Sequence, residues 1–368
     1  MDRYKIVDRI GEGAFGKVYK AKDLQDEHSE PVVIKVVNLP QKKEERDFCL
    51  REIELLAAIH HPCLVHCKDT FSEHERLCIV MPFYAGGDLS KQLKRNIQRK
   101  LRLPEQVFVE WFAQATLALE HLHAQHILHR DIKCDNCFMQ KVQDSNKVAV
   151  LLGDFGVSRV LEFTNAQAQT QCGTPYYMSP ELFKGVKYSN KSDIWALGCV
   201  FYEVIAQKVP FTANSLAELA NAVMNKDPPP LPGNYSVALR QLVMSMLDKD
   251  PAKRPSASDV AKHPALERAT RNVLEEHVGP EDEETSHDPG LPIGKKKVGR
   301  QRKLVRPGPK GVELPVMPSE QEHHMKVQRS LVDQMVNLEK RIPNRIQSIE
   351  LREPASKATF VEASWRSA

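Results

Sequence analysis

The 368-residue chain has no apolar run long enough to cross a bilayer. Its longest, Ile194 to Ile205, falls short of the ~20 residues a membrane helix needs. The start, Met1-Asp2-Arg3-Tyr4-Lys5, is charged where a secretory leader would be apolar. Charge of one sign is also scarce. Lys and Arg number 52 against 48 Asp and Glu, a net of +4, which excludes a molecule that binds nucleic acid through its overall charge. A paired cysteine framework is missing too. Without a secretory context the eight cysteines read as free thiols in a reducing compartment. The expected location is cytoplasmic, with nuclear or cytoskeletal association open. Two clusters offer metal-like ligands, Cys134-Asp135-Asn136-Cys137 and His60-His61-Pro62-Cys63-Leu64-Val65-His66-Cys67. A zinc site needs four converging ligands, and neither cluster has a partner at a familiar spacing. His121, His123, His126 and His129 read as a helix end and a turn rather than as ligands. The apolar fraction of 41% is that of a soluble globular protein, and the length suits two domains or one domain with a tail.

What is present is concentrated in one stretch, His129-Arg130-Asp131-Ile132-Lys133-Cys134-Asp135-Asn136, followed by Leu152-Gly153-Asp154-Phe155-Gly156. The chemistry it implies is phosphoryl transfer, which needs a carboxylate to orient a hydroxyl and oxygen ligands for divalent metal beside a nucleotide. Asp131 can supply the first; Asn136 and Asp154 can supply the second.

Tyr4 to Ile10 alternates polar and apolar residues like a half-buried strand. It leads into Gly11-Glu12-Gly13-Ala14-Phe15-Gly16-Lys17-Val18-Tyr19. Dinucleotide-binding folds share GxGxxG but open a helix after it. Here the continuation alternates, so the loop reads as a strand–turn–strand lid whose glycines let backbone amides approach phosphates. The third strand, Pro31 to Val37, carries Lys35 in an apolar run. A buried ammonium needs anionic partners. The choices are an edge Lys facing water, or pairing with nucleotide phosphates and a carboxylate of the next helix, predicted from Glu44 to Ile59. Glu52 shares that helix's inward face with Leu56 and is assigned as the partner. Leu77 to Met81 is a further strand. Gln106 to His123 carries one helical stripe, Phe108, Phe112, Ala115, Leu119 and Leu122. Asp88 fits a helix N-cap before Leu89 as well as a sugar contact. Asp193 opens a helix apolar on most sides and can both cap it and accept hydrogen bonds from the backbone of the 129–136 stretch. Arg254 is a candidate bidentate partner for Glu181.

HRDIKCDN resembles the protein-kinase catalytic loop, DFG its metal-binding turn, and REIELLAAIHHP its third-strand-facing helix. With the upstream glycine loop and Lys35, residues 4 to 266 are similar to eukaryotic protein kinases. LGDFGVSRVL, CGTPYYMSPEL and PPPLPGNYSVALRQLVMSMLDKDPAKRPS resemble the NIMA-related (NEK) family, and Lys133 matches the Ser/Thr-kinase pattern. The resemblance implies an α+β bilobal kinase fold with a β-rich N-lobe over 4–81, a hinge over 82–85 and a helical C-lobe over 86–266. It implies ATP and Mg2+, with Mn2+ as an alternative, and protein substrates. Ile10, Gly11, Gly13, Gly16, Val18, Val33, Lys35, Met81, Pro82, Tyr84, Asp88 and Phe138 would hold the nucleotide. Met81 guards the back pocket, Phe138 floors the adenine site, and Pro82 and Tyr84 present backbone groups to the base. Asn136 and Asp154 would hold metal. Asp131 would orient the hydroxyl, with Lys133, Lys35 and Glu52 completing the catalytic set. Val33 stands where most kinases have Ala, Pro82 replaces an acidic hinge residue, and SPE replaces APE. The segment Val157 to Gly173 resembles an activation segment. A phosphate on Thr170 would meet Arg130 and Arg159, which makes Thr170 the expected activating site, with Thr164 its rival. The reading from another class is a kinase-fold scaffold that works through its tail.

That tail is expected over 267–368 as linker and mostly disordered chain, acidic at Glu281 to Glu284 and basic over 295–310. The basic run suits an anionic partner or is simply solvated. Val327, Leu331, Met335, Leu338 and Ile342 give 321–342 a helical stripe that suits a homodimer contact.

Overall fold

A computed structural model describes residues 3–13, 16–25, 30–142, 145, 147–155 and 175–277. Thr164, Thr170, the 157–173 segment, the basic run and the 321–342 stripe lie outside the described residues.

The first part is a five-stranded antiparallel sheet in the order β1-β2-β3-β5-β4. Its strands are β1 (Tyr4–Gly13), β2 (Gly16–Asp23), β3 (Val32–Asn38), β4 (Asp69–Glu73) and β5 (Arg76–Pro82). The glycine stretch is thus a hairpin, as the alternation after it required: Gly13 pairs with Gly16 and Gly11 with Val18. Gly16 cannot carry a side chain. Its φ is +139°, and a Cβ there would lie 1.9 Å from the Val36 carbonyl oxygen of β3. Helix α1 (Lys43–Ala57) buries Cys49, Glu52, Ile53 and Leu56; Ile59 is buried just past its end.

The second part is helical. Asp88 caps α2 (Leu89–Gln98) by accepting from the Lys91 amide at 2.8 Å. Helix α3 (Glu105–Ala124) buries the whole stripe of Phe108, Phe112, Ala115, Leu119 and Leu122. A small hairpin follows, β6 (Cys137–Lys141) with β7 (Val148–Leu152). Then come α4 (Pro180–Phe183), α5 (Asn190–Ala206), α6 (Leu216–Asn225), α7 (Val237–Met246) and α8 (Ala257–Ala261). Helix α5 is buried on nearly every side and stacks Phe201 on Phe112 of α3 at 3.6 Å between ring centroids. One continuous core runs from Ile53, Leu56 and Ile79 down through α3 and α5.

Helical structure continues past residue 266. Residues 267–277, expected as linker, form helix α9 (Glu267–His277). Ala269 and Val273 are buried in the main core, Thr270 Oγ1 donates to the Ala261 carbonyl, and Glu276 pairs with Lys147. Leu266, Ala269 and Val273 recur at helical spacing, a signal hidden in a mostly charged segment. No helix of the described residues is long and apolar enough to cross a membrane.

Candidate active site

The floor of the site hangs from one buried carboxylate. Asp193, at the start of α5, has no exposed surface. Its Oδ2 accepts from the His129 amide and from His123 Nε2, both at 2.9 Å. Its Oδ1 accepts from the Arg130 amide at 3.0 Å and the Tyr188 hydroxyl at 2.5 Å. Burial pushes the Asp193 carboxyl up, but the hydrogen bonds from His123 and Tyr188 outweigh it and hold the group below its ordinary range. Four donors on one buried carboxylate pin the 129–131 backbone in space, including Arg130 at a φ of +69°, a conformation few non-glycine residues adopt unless the surroundings enforce it.

Asp131 is held next. Lys133 Nζ donates to both its carboxylate oxygens at 2.9 and 2.8 Å, and Asn136 Nδ2 donates to its Oδ2 at 2.9 Å and its carbonyl at 2.7 Å. Both Asn136 amide hydrogens are thereby engaged, which leaves Oδ1 as its ligand atom. The Asp131 amide donates to His129 Nδ1 at 3.3 Å. Burial lowers the His129 pKa against the pull of Asp193, Asp131 and Asp154, so the ring is neutral with its proton on Nε2.

Asp154 comes off β7 at a φ of +59°. The preceding Gly153 is obligatory, since a Cβ there would sit 2.7 Å from the Phe138 ring. Lys35 of β3 reaches down to Asp154 Oδ1 at 3.1 Å, and both side chains are shielded from solvent, 12% and 20% exposed. The ion pair that Lys35 makes is therefore with Asp154, where the sequence had assigned Glu52. Glu52 is buried on the inner face of α1.

At the other end, Val33 pairs with Met81 and Val32 with Pro82 across β3 and β5. Tyr84 is buried against the Phe138 ring, 5.9 Å between centroids, and burial pushes its hydroxyl up to about 12. Asp88 accepts from the Lys91 amide with Oδ1 and meets the Lys91 ammonium through Oδ2, so the cap that the sequence allowed is formed.

These groups face one cleft of about 980 Å³. It is lined by Ile10, Gly11, Gly16, Val18 and Val33 above, by Met81, Pro82, Tyr84 and Asp88 behind, and by Asp131, Lys133, Asn136, Phe138 and Asp154 below, with Lys35 between. Of the nominated residues whose side chains are described, only Glu52 is not among its walls. Hard oxygen donors at Asn136 and Asp154 beside a lysine fit a magnesium-type ion and the phosphates it accompanies.

Several members were missed from the sequence. Tyr188 lines the cleft and braces Asp193. Glu203 of α5 also lines it and accepts from Tyr177 at 2.5 Å and from the Cys134 thiol at 3.2 Å. Burial raises the Glu203 carboxyl and the Cys134 thiol alike, so the cysteine of the CxxC spacing is a hydrogen-bond donor in a packed site. Nothing local marks these residues, because their partners are distant in sequence. Deeper, Arg254 makes the expected bidentate pair with Glu181, at 2.8 and 2.7 Å, with Ser192 Oγ as a third donor.

The Protein kinase domain profile matches residues 4–266. The chain belongs to the protein kinase family. Within that family its kinship is with the NIMA-related group. It is 40% identical over 290 residues to "Serine/threonine-protein kinase Nek5" of Homo sapiens, a match covering 78% of this chain and 39% of that protein. It is 41% identical over 261 residues to "Serine/threonine-protein kinase Nek1" of Mus musculus, covering 71% and 21%. It is 39% identical over 268 residues to "Serine/threonine-protein kinase Nek4" of Mus musculus, covering 72% and 33%. The matches thus span well under half of each of these relatives. The match places the kinase domain on the segment that holds the whole cleft.

Proposed function

We propose that the chain is an ATP-dependent serine/threonine protein kinase, moving the γ-phosphoryl group of ATP onto Ser and Thr hydroxyls of protein substrates. The observation that carries this is the convergence of Asp131, Lys133, Asn136, Lys35 and Asp154 on one cleft with an apolar slot at its back. Asp131 orients the incoming hydroxyl and accepts its proton. Lys133, already on both Asp131 oxygens, shares its charge with the moving phosphoryl group. Asn136 Oδ1 and Asp154 would hold Mg2+ or Mn2+, which when bound supplies charge neutralisation on the phosphates. Lys35 exchanges part of its contact with Asp154 for the α- and β-phosphates. The Gly11–Gly16 hairpin covers the phosphates and excludes water. Ile10, Val18, Val33 and Phe138 sandwich the purine, Pro82 and Tyr84 offer it backbone groups, and Asp88 Oδ2 can accept from the ribose.

Phosphate on Thr170, adding about −1.5 to −2 charges, would order the segment against Arg130 and Arg159 and so activate the enzyme. Protein substrates aside, the proposed contacts are a homodimer through 321–342 and an anionic partner for the 295–310 run, in a cytoplasmic setting. The test is Mg2+- and ATP-dependent phosphate transfer to a casein-like or basic protein. Transfer that survives unchanged in Asp131→Asn overturns the reading.

A further inference from the structure

Helix α5 carries two carboxylates that hold other parts of the chain, Asp193 and Glu203, ten positions or roughly 15 Å apart along its axis. Asp193 fixes the backbone ahead of Asp131 through the His129 and Arg130 amides, and takes the Tyr188 hydroxyl at 2.5 Å. Glu203 repeats that arrangement behind Lys133. Its Oε2 accepts from the Cys134 thiol at 3.2 Å and from the Tyr177 hydroxyl at 2.5 Å. The thiol and the hydroxyl also interact with each other. A carboxylate oxygen has two lone pairs, so these two donors fill Oε2. Each carboxylate thus receives groups from the 129–134 stretch and one tyrosine from the 175–188 chain.

The two junctions bracket the residues that do chemistry. Asp131 and Lys133 lie between them, and Cys134 is the residue next to Lys133. The wall tied into this bracket is not needed for the nucleotide. Val33, Met81 and Phe138 form the slot at the back; Pro175, Tyr176, Tyr177 and Met178 line the cleft but take no part in that slot. Tyr177 reaches Cys134, and the adjoining Lys133 holds both Asp131 oxygens, so this wall stands next to the proton-accepting carboxylate. A junction that served stability alone could sit anywhere in the core. Here Cys134 is fully buried while Glu203 and Tyr177 both face the cleft, where a substrate chain would lie.

We propose that Glu203 is a positioning residue for the protein substrate. By gathering Tyr177 and Cys134 on one oxygen it holds the 175–178 wall in register with Asp131, so that a chain lying on the wall presents its hydroxyl to that carboxylate. This rests on the serine/threonine kinase reading.

The experiment measures KM separately for a casein-like protein and for ATP, with a melting curve on each sample. Tyr177→Phe deletes only the hydroxyl. The protein KM should rise about threefold to tenfold, with the KM for ATP within about twofold of wild type. Cys134→Ala should do the same, and Cys134→Ser, which restores a donor, should recover most of the loss. In the double variant Tyr177→Phe, Cys134→Ala the two effects should fall short of multiplying, because both act through one oxygen. Glu203→Gln keeps an acceptor oxygen and should fall between wild type and Tyr177→Phe. Equal rises in both KM values with a falling melting point, the mark of a bond that only supports the fold, overturn the proposal. So does failure of Cys134→Ser to recover what Cys134→Ala loses. A wild type that transfers no phosphate overturns the kinase reading and this proposal together; a wild type that transfers, with an unchanged protein KM in Tyr177→Phe, overturns this proposal alone.

Discussion

The roof and floor of the cleft hold their charges in opposite ways. Below, Asp193 is fully buried with four donors, and Glu181 is buried with both oxygens on Arg254 and a hydroxyl besides. Such groups cannot move without leaving an uncompensated buried charge, which costs several kcal/mol. Above, Lys35 meets Asp154 through one contact at 3.1 Å, under a hairpin whose Ile6, Val7 and Ile10 are exposed. The floor is thus preorganised around the atoms that do chemistry. The roof carries a charge that can be handed to an incoming phosphate. The difference follows from packing. Helix α5 is buried on nearly every side around Asp193, whereas β1 is an open edge of the sheet with β2 next to it.

The contrast can be broken most severely at Asp131. Asp131→Asn should slow phosphate transfer by roughly 10²- to 10⁴-fold while leaving thermal unfolding unchanged within about a degree, because its partners Lys133 and Asn136 can still bond to the amide. Steady-state rates and a melting curve on the same sample check both halves. Asp193→Ala should act the other way round. Four donors lose their acceptor, so the domain should lose ~3–5 kcal/mol, a Tm drop of roughly 10 °C by calorimetry, with activity falling in step. A melting point unchanged by Asp193→Ala would erase the distinction between floor and roof. Lys35→Met should sharpen it: transfer falls by at least ~10²-fold, but chemical denaturation shifts by less than Asp193→Ala does, ~1–3 kcal/mol, since one carboxylate loses a single donor.

Acid provides a finer cut. Asp193 and Glu181 are both held below their unfolded pKa values, by hydrogen bonds and cations that outweigh burial. Their contribution is complete above the unfolded carboxylate range near pH ~4 and is lost as pH falls through the lower folded values. Asp193→Asn should therefore show a shallower loss of Tm below pH ~4 than wild type. An identical acid slope would mean that Asp193 does not carry the linkage. The smallest effect is expected at the hinge. Lys20 of β2 lies over the Phe83 ring, 4.1 Å from its centroid, and ties the roof to the strand leaving the back of the cleft. Lys20→Gln should weaken that tie by ~0.5–1 kcal/mol, read as an approximately twofold to fivefold rise in the KM for ATP with kcat unaltered.

The sequence by itself determined the pieces whose physics is local. Alternation after Gly16 distinguished a hairpin from a helix, a 3.6-residue stripe drew α3, and the 129–136 string held Asp131, Lys133 and Asn136 within one turn of chain, where they do hydrogen-bond. Asp193 as acceptor for the loop backbone and Arg254 as partner of Glu181 were also anticipated, the first from a carboxylate at a helix start and the second from the fork geometry of a guanidinium. Only the tertiary structure decided the rest. Tyr188 bracing Asp193, Glu203 gathering Tyr177 and Cys134, and the end of α9 fastened to Lys147 are not written in any local period. Nor did the sequence choose Asp154 over Glu52 for the ion pair of Lys35, since both are carboxylates that chain folding could bring to the same ammonium. Periodicity fixes which face of an element is buried; which far-off side chain it meets there depends on how the elements pack, and a single chain position carries no record of that.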